Sequence, residues 1–461
     1  MNTWNLSDIA QAVNGQLINI PEAGLEVSAV GTDSRKLDKN ALFVPIIAER
    51  NGHDFIESAI ENGAIASLWS DEVEKAPKDF PLIVVEDTEK AYLEFGQMHL
   101  EQVNPRVIGI TGSNGKTTTK DMTAAIIGQK YQTHKTAGNE NNELGVPKTL
   151  LAMPATTEVL VLEMGMDKPG EIAVLSKAAK PETVAITMVG ESHLQAFGSR
   201  DKLALEKLDI LQGLQEGGLF VRPAVEELIT NQFEHTLRNQ SIGWEDSADF
   251  YATNVKGDAK SSTFTVHVKG QPDLTEEITI PVPGQYNVQN ALIAIAIGLE
   301  FDVDMADIKE GLANMQLTKN RLEWLDGKND TQLLNDAYNA SPSSMKAVLN
   351  YFSTIELEGE KIIVLGDIRE LGEASQQFHE DISHEIDLET YKAVLLYGEE
   401  MAALYAKLAA RENTEHVQHF TGEKDALIEA IEAVAAPGDS VLFKSSNGTD
   451  LLSVVKELKK D

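Results

Sequence analysis

The sequence contains no cysteine, and its acidic residues far outnumber its basic ones. The absence of cysteine excludes disulfide bonds and thiolate metal sites, and it fits a protein of the cytoplasm. The formal net charge of −34 makes nucleic acid a poor partner, because a polyanion would be repelled. A chain this acidic that binds a nucleotide must concentrate its few cations at the site. Each Lys or Arg beside a glycine turn is therefore a stronger candidate for a ligand-binding residue.

Long hydrophobic runs are also missing. No stretch of 18 or more apolar residues occurs, and Met1–Ala10 lacks a basic start followed by an apolar segment. We therefore expect no signal peptide and no membrane span. The hydrophobic fraction of 42% is nevertheless sufficient for real cores, and 461 residues leave room for roughly three domains.

The stretch Val107–Thr119 is the strongest local signal. A predicted buried strand is followed by Gly112 and Gly115, and Lys116 and Thr117 then open a predicted helix. Such a turn directs backbone N–H groups and a helix N-terminus at one point, which suits a polyphosphate. Lys116 can reach the β- and γ-phosphates, and the Thr117 hydroxyl can bind Mg²⁺. The pattern GxxGxxGKT is a variant of the phosphate-binding loop. The alternative interpretation is a glycine-rich turn between a strand and a helix, with a lysine that has no role in binding.

Two further polar residues follow predicted strands of the same region. Glu163 comes at the end of the strand Val159–Leu162, and His193 comes shortly after the strand Val184–Met188. Ligand sites in open α/β sheets lie outside the carboxyl ends of the strands. Either residue alone could be an ordinary residue at a strand end. Together with Lys116 and Thr117 they favour a site for a nucleotide and Mg²⁺.

Lys207 has an unusual place in its predicted helix, Asp201–Gln215. At 100° per residue it shares one face with apolar residues such as Leu203 and Ile210. A lysine in such a stripe either extends its ammonium to water or is buried with a lowered pKa. A neutral amine can add CO₂ to become a carbamate, which is an oxygen ligand for Mg²⁺. The pattern alone leaves both alternatives open.

Weaker signals lie on either side of this region. Ser34, Arg35 and His53 could bind a second anionic ligand, but surface turns would give the same pattern. Asn287 and Asn290 share a helix face, and their amides suit an adenine edge or an ordinary helix start. Strands and helices alternate along most of the chain, which predicts an α/β protein with parallel sheets. We expect three domains over residues 1–104, 105–318 and 319–461.

Considered together, the motifs resemble those of the Mur ligase family along essentially the whole chain. The matching segments, in chain order, are DSR, NGHDF, TGSNGKTTTKD, GNENNELGVPKTL, LEMG, SHLQAFGS, NVQNA, DAYNASPSSM and LGDIRELGE. The chain departs from the family pattern at Asn51, Tyr286, Ser445 and Asn447, where the pattern has Asp, His, Gly and Arg. SHLQAFGS, DAYNASPSSM and LGDIRELGE together are similar to the family member that adds D-alanyl-D-alanine to a UDP-N-acetylmuramoyl-tripeptide.

The resemblance implies an architecture and a reaction. It implies a small N-terminal α/β module that binds the UDP-sugar, a central P-loop domain with a parallel sheet that binds ATP, and a C-terminal Rossmann-like α/β domain. The last would complete the ATP site and bind the incoming dipeptide. ATP would phosphorylate the peptide carboxylate, and the amine of D-alanyl-D-alanine would attack the acyl phosphate. We expect two Mg²⁺ ions, a monomer, and no nucleic acid or membrane partner.

The resemblance also implies roles for individual residues. Lys116, His193, Lys207 and Arg321 would be catalytic, with Arg321 meeting the γ-phosphate. The metal ligands would be Thr117, Glu163, His193 and Lys207, the last carrying a carbamate formed from CO₂. The nucleotide would be bound by Gly112, Ser113, Asn114, Gly115, Lys116, Thr117, Thr118, Asn287, Asn290, Arg321 and Asp336. The UDP-sugar peptide and the dipeptide would be bound by Ser34, Arg35, His53, Asn139, Asn141, Asn142 and Asn339.

Two other functions fit part of the sequence. Another amide ligase that uses ATP in the same way, such as folylpolyglutamate synthase, would share the central motifs but gives no reason for the DSR segment. A nucleotide-gated binding protein without turnover would not need Lys116, Glu163, His193 and Lys207 together.

Overall fold

The computed structural model describes residues 2–21, 24–234 and 236–460. Two compact units make up the chain: Met1–Ile110 with Lys130–Val184 and Asp209–Leu219, and Thr111–Gln129 with Ala185–Leu208 and Phe220–Asp461. Each is α/β in character, so the predicted α/β class with parallel sheets is confirmed. Within the described residues, no helix is both long enough and apolar enough to cross a membrane.

The N-terminal stretch alternates short strands and helices. Its elements are β1 (Trp4–Asn5), α1 (Leu6–Ala12), β2 (Gln16–Ile18), β3 (Glu26–Val27), β4 (Ala29–Gly31), β5 (Ala41–Phe43), α2 (Ile56–Glu61), β6 (Ala64–Trp69), β7 (Leu82–Val84) and α3 (Thr88–Val103). One sheet has the order β2-β7-β6-β5-β4, in which all neighbours are parallel except β2 and β7. The helix α3 ends the N-terminal stretch. Asp87 caps its first N–H groups, and Asn104 ends it in the left-handed conformation.

The middle stretch contains the glycine turn. Its elements are β8 (Arg106–Thr111), α4 (Lys116–Ile127), β9 (Thr133–Lys135), α5 (Gly145–Ala152), β10 (Val159–Glu163), α6 (Glu171–Ala179), β11 (Thr183–Ile186), α7 (Leu194–Phe197), α8 (Arg200–Leu208), β12 (Leu219–Pro223), α9 (Glu227–Thr230), β13 (Asn239–Gly243), β14 (Phe250–Gly257), β15 (Ser262–Val268), β16 (Glu276–Ile280), α10 (Gln285–Glu300) and α11 (Met305–Ala313). In the first unit β8, β10 and β9 form parallel pairs. In the second, β12, β13 and β14 are parallel, and β15 and β16 add an antiparallel extension.

The prediction of one α-helix over Asp201–Gln215 is wrong in its second half. The α-helix ends at Leu208, and a 3₁₀ helix continues over Asp209–Gly213. The hydroxyl of Ser176 donates a 2.5 Å hydrogen bond to the carbonyl of Ile210. A Cβ at Gly213 would lie 2.0 Å from the Ser176 carbonyl oxygen. Close packing on α6 therefore sets the backbone of this segment, which helical periodicity alone could not predict.

The C-terminal stretch forms a second, mostly parallel sheet. Its elements are β17 (Glu323–Asp326), β18 (Gln332–Asp336), α12 (Pro342–Thr354), β19 (Lys361–Gly366), α13 (Ser375–Ile382), β20 (Ala393–Tyr397), α14 (Met401–Ala409), β21 (Val417–Phe420), α15 (Asp425–Val434), β22 (Ser440–Lys444) and α16 (Leu451–Leu458). The strand order is β17-β18-β22-β19-β20-β21, with only β17 antiparallel to its neighbour. Apolar clusters line both faces of this sheet, as expected for buried parallel strands.

The helix α4 is held inside the second unit by close backbone contacts. A Cβ at Gly298 of α10 would lie 2.6 Å from Ile126, and one at Gly311 of α11 would lie 2.7 Å from the Ala125 carbonyl. Asp121 of α4 is buried, and its carboxylate accepts hydrogen bonds of 2.9 Å from both the N–H and the hydroxyl of Thr318. The segment that leads into the C-terminal stretch is thus attached to the helix that follows the glycine turn.

Candidate functional site

The glycine turn has a backbone that only glycine adopts without strain. Gly112 has a φ of 147° and Gly115 a φ of 83°, and α4 begins directly afterwards at Lys116. A Cβ at Gly112 would lie 1.8 Å from the hydroxyl oxygen of Thr187. The predicted strand, turn and helix are therefore all present, and the turn is packed too tightly to accept a side chain.

A neighbouring segment fixes the shape of this turn. The N–H of Ser113 donates to the Met188 carbonyl at 2.9 Å, and the N–H of Gly190 donates to the Ser113 hydroxyl at 2.8 Å. The hydroxyl of Thr187 donates to the Asn114 carbonyl at 2.5 Å. The turn is thus rigid without a ligand, which preorganises it to bind one.

Three of the predicted nucleotide-binding residues, Lys116, Thr117 and Thr118, form the start of α4. The Nζ of Lys116 is 2.9 Å from the Gly112 carbonyl oxygen, so this cation closes over the turn. Thr117 and Thr118 are both buried in the first turn of the helix. The positive end of the helix dipole and the ammonium of Lys116 both favour an anion here.

Lys207 is buried in α8, with an exposure of 2%. It does not extend its ammonium to water, so that alternative from the sequence is wrong. Burial, together with the charge of Lys116, holds the pKa of Lys207 well below its ordinary value. A lower pKa increases the fraction of the amine that is neutral, which is the form that adds CO₂.

His193 lies directly before α7 and contacts a residue from the C-terminal stretch. Its Nδ1 is 2.6 Å from the Oε2 of Glu370, and its φ of 63° is unusual for a residue with a side chain. The hydrogen bond with His193 lowers the pKa of Glu370. His193 was predicted from the sequence as a functional residue, whereas Glu370 was not given a role.

Asn114 of the glycine turn contacts the N-terminus of α12. Its amide nitrogen donates to the hydroxyls of Ser341 at 2.9 Å and Ser343 at 3.1 Å. The N–H of Ser343 in turn donates to the Glu191 carboxylate at 3.3 Å. The turn and the start of a helix from the DAYNASPSSM segment are therefore directly linked.

The predicted residues of the C-terminal stretch lie around Lys444. The Nζ of Lys444 is 2.7 Å from the Asp336 carboxylate and 2.8 Å from the Asn339 carbonyl oxygen, and the lysine is buried. The guanidinium of Arg321 lies over the Tyr338 ring, 4.7 Å from its centroid. Lys444 therefore holds the strand end that carries Asp336.

Asn287 and Asn290 are buried at the start of α10. Asn290 donates to the Asn287 side-chain oxygen at 3.1 Å, and Asn287 donates to the Pro283 carbonyl at 2.7 Å. A Cβ at Gly115 would lie 2.5 Å from the Asn290 side-chain oxygen. Both amides therefore support the glycine turn in this structure, and their contact with an adenine stays a prediction.

In the first unit, Glu163 is buried at the end of β10. Its carboxylate accepts a 2.7 Å hydrogen bond from the amide of Asn141, and its N–H donates to the Thr136 hydroxyl at 2.9 Å. Asn142 caps the start of α5 by accepting from the N–H of Gly145 at 3.0 Å, whereas Asn139 is exposed. The asparagine cluster predicted to contact the peptide therefore also orients the predicted metal ligand.

The candidate UDP-sugar residues lie in the N-terminal stretch. Arg35 is exposed and forms a two-point ion pair with Asp33, and Ser34 is nearly buried beside it. His53 is buried, with Nδ1 2.7 Å from the Asn51 side-chain oxygen and Nε2 accepting from the N–H of Ser70 at 3.0 Å. Burial lowers the pKa of His53. His53 therefore stabilises this loop, and any effect on the ligand would act through the loop.

Carboxylates and histidines of the chain do not by themselves form a binding site for Mg²⁺ in the described residues. Among the residues that the structure describes, no group of three or more His, Asp or Glu could hold a metal ion. The predicted donors are the Thr117 hydroxyl, His193 and, if carbamylated, Lys207 in the second unit, and the Glu163 carboxylate in the first. Hydroxyl and carboxylate oxygens, with phosphate oxygens of a nucleotide, are the ligands that Mg²⁺ takes, so the chemistry of the Thr117 and Glu163 oxygens fits.

Several residues of the site were missed by the sequence analysis. Thr187, Thr136, Ser341 and Ser343 hold the turn or a predicted ligand, and Glu370 contacts His193. Thr187 and Thr136 are isolated threonines near strand ends, and no sequence motif there indicates a role at the site. Ser341, Ser343 and Glu370 lie within segments quoted for the family resemblance, so their motifs could have indicated a role.

Three successive family models match the chain. They are described as Mur ligase family, catalytic domain, over residues 26–99, Mur ligase middle domain over residues 110–298, and Mur ligase, glutamate ligase domain, over residues 320–447. The three-part architecture expected from the sequence is confirmed by these matches.

Individual proteins are similar over the full length. The chain is 40% identical over 455 residues to UDP-N-acetylmuramoyl-tripeptide–D-alanyl-D-alanine ligase from Bacillus subtilis, with 98% of each chain covered. It is 32% identical to the ligase of the same name from Escherichia coli, with 100% of this chain and 99% of the relative covered. A crystal structure of MurF from Acinetobacter baumannii matches with a TM-score of 0.87 at 28% identity, covering 99% of each chain.

Proposed function

This chain belongs to the Mur ligase family of ATP-dependent ligases, and we propose that it joins D-alanyl-D-alanine to UDP-N-acetylmuramoyl-tripeptide in peptidoglycan precursor synthesis. The observation that carries the proposal is the full-length similarity to relatives that bear the name of this activity. The rigid glycine turn beside Lys116 and the buried Lys207 support it, because the reaction needs a bound triphosphate and strong neutralisation of its charge.

The reaction has two steps. The terminal carboxylate of the tripeptide attacks the γ-phosphorus of ATP, which forms an acyl phosphate and releases ADP. The amine of D-alanyl-D-alanine then attacks the acyl carbon, and phosphate leaves from the tetrahedral intermediate as the amide bond forms. The first step brings a carboxylate to a polyanion, and the second develops negative charge on the acyl oxygen while the amine loses a proton, so the enzyme must supply positive charge and exact alignment.

Residues of the second unit would act on the phosphates. The turn Gly112–Gly115 would hold the β- and γ-phosphates with backbone N–H groups and the N-terminus of α4. The ammonium of Lys116, now 2.9 Å from the Gly112 carbonyl, would move to the phosphate oxygens. Arg321 would neutralise the γ-phosphate, and Asp336 would accept a hydrogen bond from the ribose.

The predicted ligands of two Mg²⁺ ions are Thr117, Glu163, His193 and carbamylated Lys207. Bound Mg²⁺ would neutralise phosphate charge and so make the γ-phosphorus more open to attack. The lowered pKa of Lys207 supports carbamylation, because CO₂ adds to a neutral amine.

The remaining residues would bind the two other substrates. Ser34 and Arg35, in a loop held by His53, would bind the uridine diphosphate, and Asn139, Asn141 and Asn142 would lie near the muramoyl peptide. Asn339 would contact the incoming dipeptide. We propose domain boundaries at residues 104/105 and 318/319, a monomeric enzyme, and a cytoplasmic location where these nucleotide-linked substrates occur.

Phosphate release tests this function directly. The enzyme is assayed with ATP, Mg²⁺ and the UDP-tripeptide carrying either L-lysine or diaminopimelate, with and without D-alanyl-D-alanine. We expect release that depends on both the UDP-tripeptide and the dipeptide. A folate with glutamate as the substrate pair forms the comparison arm. Turnover with that pair alone, or no dependence on D-alanyl-D-alanine, would contradict the proposal.

A further inference from the structure

The loop that follows β19 contacts both His193 and Gln195. The Glu370 side chain lies 2.6 Å from His193 Nδ1, and the Glu370 carbonyl accepts a 2.9 Å hydrogen bond from the N–H of Gln195. Gly372 has a φ of 60°, and a Cβ there would be in van der Waals contact with the Gln195 Cα, at 3.4 Å. The loop is therefore held by a backbone hydrogen bond to Gln195 as well as by the side-chain contact with His193, and we call this pair of contacts the clasp.

Both residues of this side-chain contact have strained backbones. His193 has a φ of 63° and Glu370 a φ of 65°, a region that residues with side chains seldom adopt. Such strain persists only where the surrounding structure enforces it, and it concentrates at functional sites. The side chain of Glu370 is 57% exposed and that of His193 is 24% exposed, so burial alone does not hold these two residues together.

The base of the loop is built to hold Glu370 in place. The carboxylate of buried Asp367 accepts from the N–H of Met401 at 3.0 Å, and the N–H of Ile368 donates to His379 at 3.1 Å. The N–H of Arg369 donates to the Ser446 hydroxyl at 2.9 Å. The three residues before Glu370 are thus each fixed to a different neighbouring element, which leaves the loop little freedom.

We propose that Glu370 is a positioning residue that orients the imidazole of His193 for its role at the metal. A carboxylate at Nδ1 keeps the proton on that nitrogen, so the lone pair of the ring is on Nε2, the nitrogen that can then bind a cation. Because Glu370 and His193 come from segments far apart in the sequence, the orientation of the metal ligand depends on the docking of the loop. The inference rests on the proposed function, in which His193 is a Mg²⁺ ligand.

Measuring the tautomer of His193 tests whether Glu370 orients its imidazole, and the measurement needs neither metal nor turnover. Protein with ¹⁵N-labelled histidine is compared by NMR with the Glu370→Ala and Glu373→Ala variants, and His193→Gln assigns the signal. Glu373 is an exposed carboxylate in the same loop and serves as the matched control. We expect a single Nδ1–H tautomer in the wild type and in Glu373→Ala, and a mixture in Glu370→Ala. The same tautomer in all three would overturn the inference.

Metal dependence tests the functional consequence. In Glu370→Ala we expect the Mg²⁺ concentration for half-maximal activity to rise about 10–100-fold, with little change in the KM for the UDP-tripeptide. Glu370→Gln, which retains an acceptor oxygen, should recover part of this loss. Adding Glu370→Ala to His193→Ala should cause no further loss, because the glutamate acts through the histidine. Additive losses, or equal effects of Glu370→Ala and Glu373→Ala, would overturn the inference.

The two proposals fail in different ways. If the wild type releases no phosphate in response to D-alanyl-D-alanine, the proposed function is wrong, while the tautomer measurement still tests the clasp. If the wild type is active and the metal dependence of Glu370→Ala is unchanged, the positioning role is wrong and the proposed function stands.

Discussion

The hydroxyl oxygen of Thr187 lies where a Cβ on Gly112 would have to be, at a separation of only 1.8 Å. The same hydroxyl donates to the Asn114 carbonyl, so it cannot move without releasing the turn. The shape of the phosphate-binding turn and the position of Thr187 are therefore set together.

Gly112→Ala should reduce ATP binding. The substitution combines a steric clash with a φ of 147°, which would cost roughly 1–3 kcal/mol in backbone strain alone. We expect kcat/KM for ATP to fall at least about tenfold, since each 1.4 kcal/mol corresponds to a factor of ten. Gly217→Ala is the control, because Gly217 has a φ of 76° but open space around it. Equal losses in the two variants would argue against a special role for the turn.

Lys116→Ala should abolish acyl-phosphate formation and leave binding of the UDP-tripeptide nearly unchanged. The ammonium lies at the glycine turn, and the proposed UDP-sugar residues belong to a different part of the chain. ADP formation with hydroxylamine as the trapping nucleophile measures the first step, and calorimetry measures binding of the UDP-tripeptide. Loss of both would mean that the assigned roles are wrong.

Lys207→Ala should abolish ligation, and added short carboxylates should partly restore it if the lysine carries a carbamate. A carboxylate can supply the oxygen ligand that the variant lacks. The measurement is phosphate release over a series of formate and acetate concentrations, with Lys177→Ala, an exposed lysine, as the control. Activity that is unchanged in Lys207→Ala would refute the carbamate.

The buried Lys207 also predicts a dependence of stability on pH. Its pKa is lower in the folded chain than the ordinary value of 10.5, so the unfolded state binds more protons between the folded pKa and 10.5. The free energy of unfolding therefore rises with pH across that window, and this contribution is lost as pH falls. Relative to Lys207→Met, the wild type should gain stability as pH is raised. Urea unfolding without nucleotide at several pH values measures this, and parallel curves would contradict it.

Lys444→Met should destabilise the C-terminal stretch. It removes the cation 2.7 Å from Asp336 in a pair whose side chains are only 5% and 14% exposed, which leaves a poorly solvated carboxylate. We expect a loss of roughly 3 kcal/mol in the free energy of unfolding. Lys424→Met breaks a more exposed pair with Asp450 and should cost roughly 0–1 kcal/mol. Similar urea midpoints for the two variants would contradict this difference.

The sequence predicted the parts of the site that depend on local patterns. The glycine turn and α4 follow from the spacing of Gly112, Gly115 and Lys116, whereas helical periodicity placed Lys207 on an apolar face without deciding whether its ammonium reaches water. The pairing of Glu370 with His193 could not be predicted, because it depends on tertiary docking of a loop. Helical periodicity likewise gave no sign of the change to a 3₁₀ helix at Asp209, which packing on α6 imposes.

The attachment of Thr318 to Asp121 limits where the chain can bend. Because the backbone N–H and the side chain of Thr318 are both bound to α4, rotation of the following segment must begin beyond it. Asn320 and Leu322 there already have φ values of 64° and 46°. Arg321 lies between them, at the point where such a rotation would begin. The proposed contact of Arg321 with the γ-phosphate would therefore be the part of the C-terminal stretch that such a rotation displaces least.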